Sequence, residues 1–166
     1  MRKIAHPRPK LSLAIQYAVQ AQELPRWRLR RWVLQAIKHA QLAQSVRCIE
    51  LTLRLVGDQE SQELNRTYRG KDYATNVLTF PYEPITAKTP LIAADLVMCT
   101  TVLQTEAREQ KKTYRNHAAH LVIHATLHAL GYDHEQPQEA QHMEALEVQI
   151  LKTLKIPDPY QISRST

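Results

Sequence analysis

The sequence predicts an α+β fold, a small mixed β-sheet of about four strands packed with about five helices. Three observations lead there. Stretches in which apolar and polar residues alternate are interleaved with stretches whose apolar residues recur at helical spacing. Only three glycines are present, few for an all-β chain that needs many tight turns. The 166 residues, 43% hydrophobic and 23% charged, have the balance of one globular domain spanning 1–166 and are enough to enclose a core.

Leu11, Leu13, Ile15, Tyr17 and Val19 alternate with Ser12, Ala14, Gln16, Ala18 and Gln20, which predicts a half-buried first strand. Arg2 and Lys3 before this stretch give it a superficial likeness to a signal peptide, but the period of two and the polar Gln16 argue against an apolar h-region. No run approaches the roughly 20 apolar residues of a membrane span. A soluble, cytoplasmic protein without a membrane partner is expected, with Cys48 and Cys99 as buried thiols in a reducing compartment.

Pro25 opens a helix, and Leu29, Trp32, Val33, Ala36, Ile37 and Ala40 give it a core face. Arg26, Arg28, Arg30 and Arg31 crowd its start, an unfavourable place for cations against the helix dipole. They read as an RNA-phosphate contact or as a solvated face, and the solvated face is preferred. Val46 to Val56 predicts a second strand, ended by Gly57, with Asp58 as N-cap of a helix to about Tyr68. Val77 to Phe80 is a third strand stopped by Pro81, and the segment 83–90, with Pro84 and Pro90, is a loop.

Leu91 to Cys99 is a fourth strand, interrupted by Asp95. Thr100 or Thr101 caps a helix to about Lys112, and another helix runs from about Tyr114 to Leu130. A last helix, about Gln138 to Leu154, faces the core with Met143, Leu146, Ile150 and Leu154. The net charge of +6 and pI of about 9.4 favour a polyanionic partner, nucleic acid before membrane.

The segment His124-Ala-Thr-Leu-His128-Ala-Leu-Gly131-Tyr-Asp-His134 reads H-x-x-x-H-x-x-G-x-x-H. His124 and His128 lie one helical turn apart on one face, Gly131 can end the helix, and the chain can return His134 towards the first two. Three neutral imidazoles suit one divalent ion, zinc foremost, with a fourth position left open. His120 shares the stripe, but His120 and His128 are about 12 Å apart along the axis and cannot both bind one ion. Either 120/124 or 124/128 can be the chelating pair. His134 selects the second, leaving His120 as a structural group or one supporting the ligands. His117, His142, His39 and His6 are read as ordinary residues. Zinc proteases with this skeleton carry a Glu after the first His as general base; Ala125 stands there instead.

This motif resembles the signature of the YbeY family of metal-dependent bacterial endoribonucleases. The stretch Leu64-N-R-T-Y-Arg69-G-K-D-Y-A-T-N-V-L-T-F-Pro81 and the strand Ala94-Asp95-L-V-M-C resemble two further family motifs. The resemblance covers about residues 64 to 135. It departs at Ala125 and Ala94, where the family usually has Gly, and at Ala74, where it has Pro. The resemblance implies metal ligation by His124, His128 and His134 and a functional Arg69. It also implies cleavage of single-stranded RNA in rRNA maturation (16S rRNA 3′ end) and ribosome quality control, with the small ribosomal subunit or its proteins as partners.

A bound divalent ion lowers the pKa of water to about 7, which removes the need for the missing Glu. Arg69, assigned from the resemblance, is the candidate to bind phosphate oxygens through its guanidinium fork. Arg66 and Lys71 are candidates to extend the positive surface along RNA. Asp133 is a candidate to support a ligating imidazole, to act on a proton or to form the turn, and Asp95 to hydrogen-bond in the site floor or the fold. The competing functions are a zinc metalloprotease-like hydrolase and a non-catalytic ribosome-assembly factor with a structural metal.

Overall fold

In the computed structural model, which describes residues 7–161, nine elements follow one another as the sequence patterning predicts. They are β1 (Lys10–Tyr17), α1 (Arg26–His39), β2 (Cys48–Val56), α2 (Asp58–Arg69), β3 (Val77–Pro81), β4 (Leu91–Cys99), α3 (Thr100–Glu109), α4 (Tyr114–Ala129) and α5 (Pro137–Thr153). The sheet order is β1-β2-β4-β3. β1, β2 and β4 run parallel, with Leu13 opposite Leu51 and Leu51 opposite Ala94, while β3 is antiparallel to β4 and forms an edge. The fold is thus α+β with five helices and a mixed four-stranded sheet.

Alternation along the strands sorts side chains between two faces. Ile49, Leu51, Leu53 and Leu55 of β2 join Ile92, Ala94, Leu96 and Met98 of β4 in the main core, beneath α1, α4 and α5. Val56, Val97 and Cys99 face the opposite side, where Leu64 of α2 and Phe80 cover them. α4 is buried nearly all round, and Ala118, Ala119, Ala125 and Ala129 let its neighbours approach closely. The His-bearing helix is therefore central.

Some boundaries and roles differ from the sequence expectation. β1 stops at Tyr17 instead of Gln20, and Val19 packs beside Gly57. Asp58 is the first helical residue of α2, not its cap; Gly57 takes the cap position without a side-chain bond. The Asp58 carboxylate instead accepts from the Thr101 hydroxyl and the Cys99 thiol, joining the starts of α2 and α3. The cap of α3 is likewise Cys99, and the helix ends at Glu109. Cys99 is buried and Cys48 only half-buried; both are free thiols. Among the described residues no helix is long and apolar enough to cross a membrane.

Candidate metal centre and its cleft

The ending of α4 creates the site. Leu130 leaves the helix, and Gly131 adopts φ +101°, a conformation that glycine accepts far more readily than other residues. The Gly131 N–H then donates to His128 O and the Tyr132 N–H to Leu127 O, the paired bonds of a Schellman stop. A Cβ at Gly131 would meet the Ile85 side chain at 3.3 Å, so packing reinforces the backbone requirement. The reversed chain brings His134 to the other two imidazoles: ring centroids lie 4.5 Å apart for 124–128, 4.7 Å for 128–134 and 5.7 Å for 124–134.

The tautomers follow from the partners. His128 Nδ1 faces the Tyr132 carbonyl at 3.0 Å, which can only accept, so Nδ1 carries the proton. His124 Nδ1 faces the Glu147 carboxylate and carries its proton for the same reason. In the neutral rings both Nε2 atoms are then bare acceptors, yet they point at each other 3.0 Å apart. Two facing lone pairs repel unless a cation lies between them. Potential ligand atoms of all three histidines fall within 4.8 Å of one another. A tetrahedral ion with Zn–N bonds of about 2.0–2.1 Å holds its ligand nitrogens about 3.4 Å apart, near the 3.0 Å between the His124 and His128 Nε2 atoms, so this donor set is one that could hold a divalent metal.

Glu147, absent from the sequence-based candidates, organises this arrangement. It is fully buried on α5, where its carboxylate accepts from His124 Nδ1, from His120 Nε2 at 3.3 Å and from the Tyr160 hydroxyl. Burial opposes its ionisation, but the hydrogen bonds from His120 and His124 outweigh that and hold its pKa at about 2. The sequence carried a signal: Glu147 is a lone carboxylate on the stripe of Met143, Ile150 and Leu151 that faces the core. His120, His124 and Glu147 also lie close enough to form a second donor group. There, however, Glu147 is engaged by three donors and His120 is committed to Glu147 and Tyr160, so the group works as a hydrogen-bonded brace behind His124. His120 thus braces His124, a candidate ligand, through Glu147.

An open cleft of about 670 Å³ lies between the end of α4 and the edge strand β3, and Arg69, Thr79, His124, His128, Asp133 and His134 all line it. Arg69 is the last residue of α2; Gly70, with φ +70°, stops the helix there. Its guanidinium donates to Thr79 O at 2.9 Å and sits 5.1 Å from the Phe80 ring centroid. Sequence separates Arg69 from His124 by 55 positions, and the fold brings them to one cavity. Asp133 accepts from the His134 N–H at 2.7 Å, which shapes the turn. Arg66 is exposed, with Asp72 at 4.0 Å, and Lys71 is also exposed; neither lines the cleft.

Asp95 does not reach the cleft floor. It lies on the other face of the sheet, where Tyr82 donates to both carboxylate oxygens at 3.0 Å, because odd-numbered positions of β4 point away from α4. Ala125 is fully buried and lines no part of the cleft, so the place of a protease carboxylate is occupied by core packing. Of the remaining histidines, His117 bonds Glu106 at 3.1 Å and His142 stacks on Tyr132, whereas His6 lies outside the described residues.

Burial, followed by the neighbouring His124 and His134, depresses the His128 pKa to about 4. In the unfolded chain this imidazole takes up a proton near pH 6.5, whereas in the folded metal-free protein it does so only near 4. The unfolded state therefore binds more protons across that interval, and stability falls as pH falls. The depressed Glu147 carboxyl adds to the loss from about pH 4.5 downward. The melting temperature of chelator-treated protein should drop steadily from about pH 7 to about pH 4.5. A constant melting temperature over that range would contradict these environments.

The family model described as Endoribonuclease YbeY matches residues 14–155. An endoribonuclease YbeY of Bordetella pertussis is 54% identical over 157 residues, covering 91% of this chain and 96% of that one. The Methylibium petroleiphilum protein of the same description is 44% identical and covers 96% and 99% respectively. The solution structure of TM1509 from Thermotoga maritima shares the fold, with a TM-score of 0.58 at 23% identity over 87% of this chain and 92% of that one.

Proposed function

The chain belongs to the YbeY endoribonuclease family, and on that premise we propose that it is a metal-dependent hydrolase of single-stranded RNA acting in rRNA maturation, at the 16S rRNA 3′ end, and in ribosome quality control. The observation that carries the chemistry is the shared cleft: three imidazoles converge on one point, and a guanidinium stands in the same cavity. His124, His128 and His134 hold one divalent ion, zinc foremost. When bound, that ion supplies Lewis acidity towards a phosphoryl oxygen and towards water at neutral pH.

The chain's own residues supply the rest. Glu147 and the Tyr132 carbonyl fix two imidazoles with Nε2 towards the cleft, so little reorganisation is needed on binding. Arg69 neutralises charge that develops on the phosphate oxygens, and its contacts with Thr79 and Phe80 pre-orient the guanidinium. The open cleft admits a strand running along the β3 edge, with Arg66 and Lys71 adding positive charge nearby. The cytoplasm and the small ribosomal subunit are the proposed setting.

The test is cleavage of a labelled single-stranded RNA by metal-loaded protein, by chelator-treated protein and by His128→Ala. Cleavage by the first alone, restored when metal is returned to the second, is expected. A folded, metal-loaded protein that leaves RNA intact would favour a structural metal in an assembly factor. Hydrolysis of a peptide substrate instead would restore the protease reading that the buried Ala125 opposes.

A further inference from the structure

The basic charge of the chain is concentrated on one helix. α1 holds five of the 22 lysines and arginines and none of the 16 acids, so it carries +5 of the net +6. Its apolar face, with Leu29, Trp32, Val33 and Ala36, is buried in the core. The outward face presents Trp27, Arg30, Arg31, Leu34 and Lys38, a stripe at helical spacing, with Trp27 61% exposed.

Helix stability does not account for this cluster, because cations in a first turn oppose the helix dipole and no acid offsets them there. Nor does an ion pair hold the arginines: Arg26 and Arg28 donate to the backbone carbonyls of Ile15 and Glu23, and none of Arg26, Arg28, Arg30 and Arg31 is in an ion pair among the described residues. Arg28 also packs 4.8 Å from the Trp27 ring centroid and feels the opposed charges of Arg115 of α4 and of Glu23, which just precedes the helix.

We propose that the outward face of α1 is a second RNA-binding surface, separate from the cleft, which holds substrate RNA by its phosphates and stacks a base on Trp27. This inference rests on the endoribonuclease reading for its choice of polyanion. Charge complementarity favours RNA over a membrane, since the apolar face a membrane would take up is already committed to the core. An exposed indole flanked by guanidinium groups is the stacking platform of single-strand binding. Its position suits the same substrate: α1 is about 20 Å long. Just beyond its end the Gln41 N–H donates to the Tyr132 hydroxyl at 2.8 Å, and Tyr132 lines the cleft. RNA lying along α1 arrives at the cleft rim.

The test compares wild type with the double variant Arg30→Glu, Arg31→Glu and with Trp27→Ala, all at exposed positions that leave the buried face intact. Binding is read with a long 2′-O-methyl RNA that resists cleavage, and catalysis with a hexanucleotide too short to reach both surfaces. The double variant should bind the long RNA about tenfold more weakly, with a salt slope shallower by about 0.7 for each phosphate it no longer neutralises. Trp27→Ala should weaken binding while keeping the salt slope, and hexanucleotide cleavage should stay at the wild-type rate in both.

Unchanged long-RNA affinity in both variants would overturn the proposal. So would variants that retain RNA affinity but lose binding to phosphatidylserine vesicles or to an acidic protein. Failure of the endoribonuclease reading is a different result: wild type would leave the hexanucleotide intact whatever α1 carries.

Discussion

Arg69→Glu should retain metal at the wild-type stoichiometry and lose RNA cleavage by at least about 10²–10³-fold, the range for removing one charge-stabilising donor. The side chain is exposed and makes no hydrogen bond to a histidine among the described residues; its hydrogen bonds go to Thr79 O and weakly to Tyr68 O, and it lies over the Phe80 ring. Its loss should therefore cost little stability and leave the three imidazoles in place. The carboxylate also places a negative charge where a phosphate must approach, so the effect should exceed that of Arg69→Ala. Arg69→Lys separates charge from geometry: it keeps the cation but loses the planar fork, and an intermediate rate is expected. Metal analysis, melting temperature and cleavage rate measured together decide the matter. Wild-type cleavage by folded Arg69→Glu would remove this residue from the mechanism.

Glu147→Ala should have the second large effect, on both metal retention and the fold. The carboxylate accepts from two imidazoles and a phenol, and its removal leaves the hydrogen-bonding groups of His120, His124 and Tyr160 facing a cavity. Each buried group so orphaned costs about 1–3 kcal/mol. Losing the carboxylate that orients a ligating histidine typically weakens metal affinity by about 10–100-fold. Glu147→Gln tests orientation alone: it keeps size and one acceptor, but its amide can present donors to His124, favouring the wrong tautomer. Competition with a chromogenic chelator should give Glu147→Gln an affinity between wild type and Glu147→Ala. Equal metal affinity in all three proteins would show that His124 needs no such support.

The elements and their order were legible because each is locally consistent. Period-two runs became strands, 3.6-residue runs became helices, and Gly131 stopped α4 where the motif required it. The candidate ligands were legible for the same reason: residues four apart on a helix and a chain reversal just beyond it bring His124, His128 and His134 together within 11 residues. Cap assignments were less secure. Asp58 and the threonines at 100 and 101 have the chemistry of N-caps, but the fold uses Asp58 and Thr101 to join two helix starts.

Asp95 and Glu147 mark the boundary between the two kinds of information. A carboxylate in an apolar strand read as a hydrogen-bonding group of either the site floor or the fold, and strand register decided for the fold by turning Asp95 to the opposite face and giving it Tyr82. A carboxylate on the apolar stripe of α5 passed unnoticed, yet helix packing set it behind His124. By itself the sequence determined the strands, the helices and the three-imidazole motif, because these depend on neighbours a few residues away. Arg69 was named only through the family resemblance, and the tertiary structure alone decided that it shares the cleft with the imidazoles and that Glu147 and Tyr160 stand behind His124, because those distances follow from how sheet and helices pack.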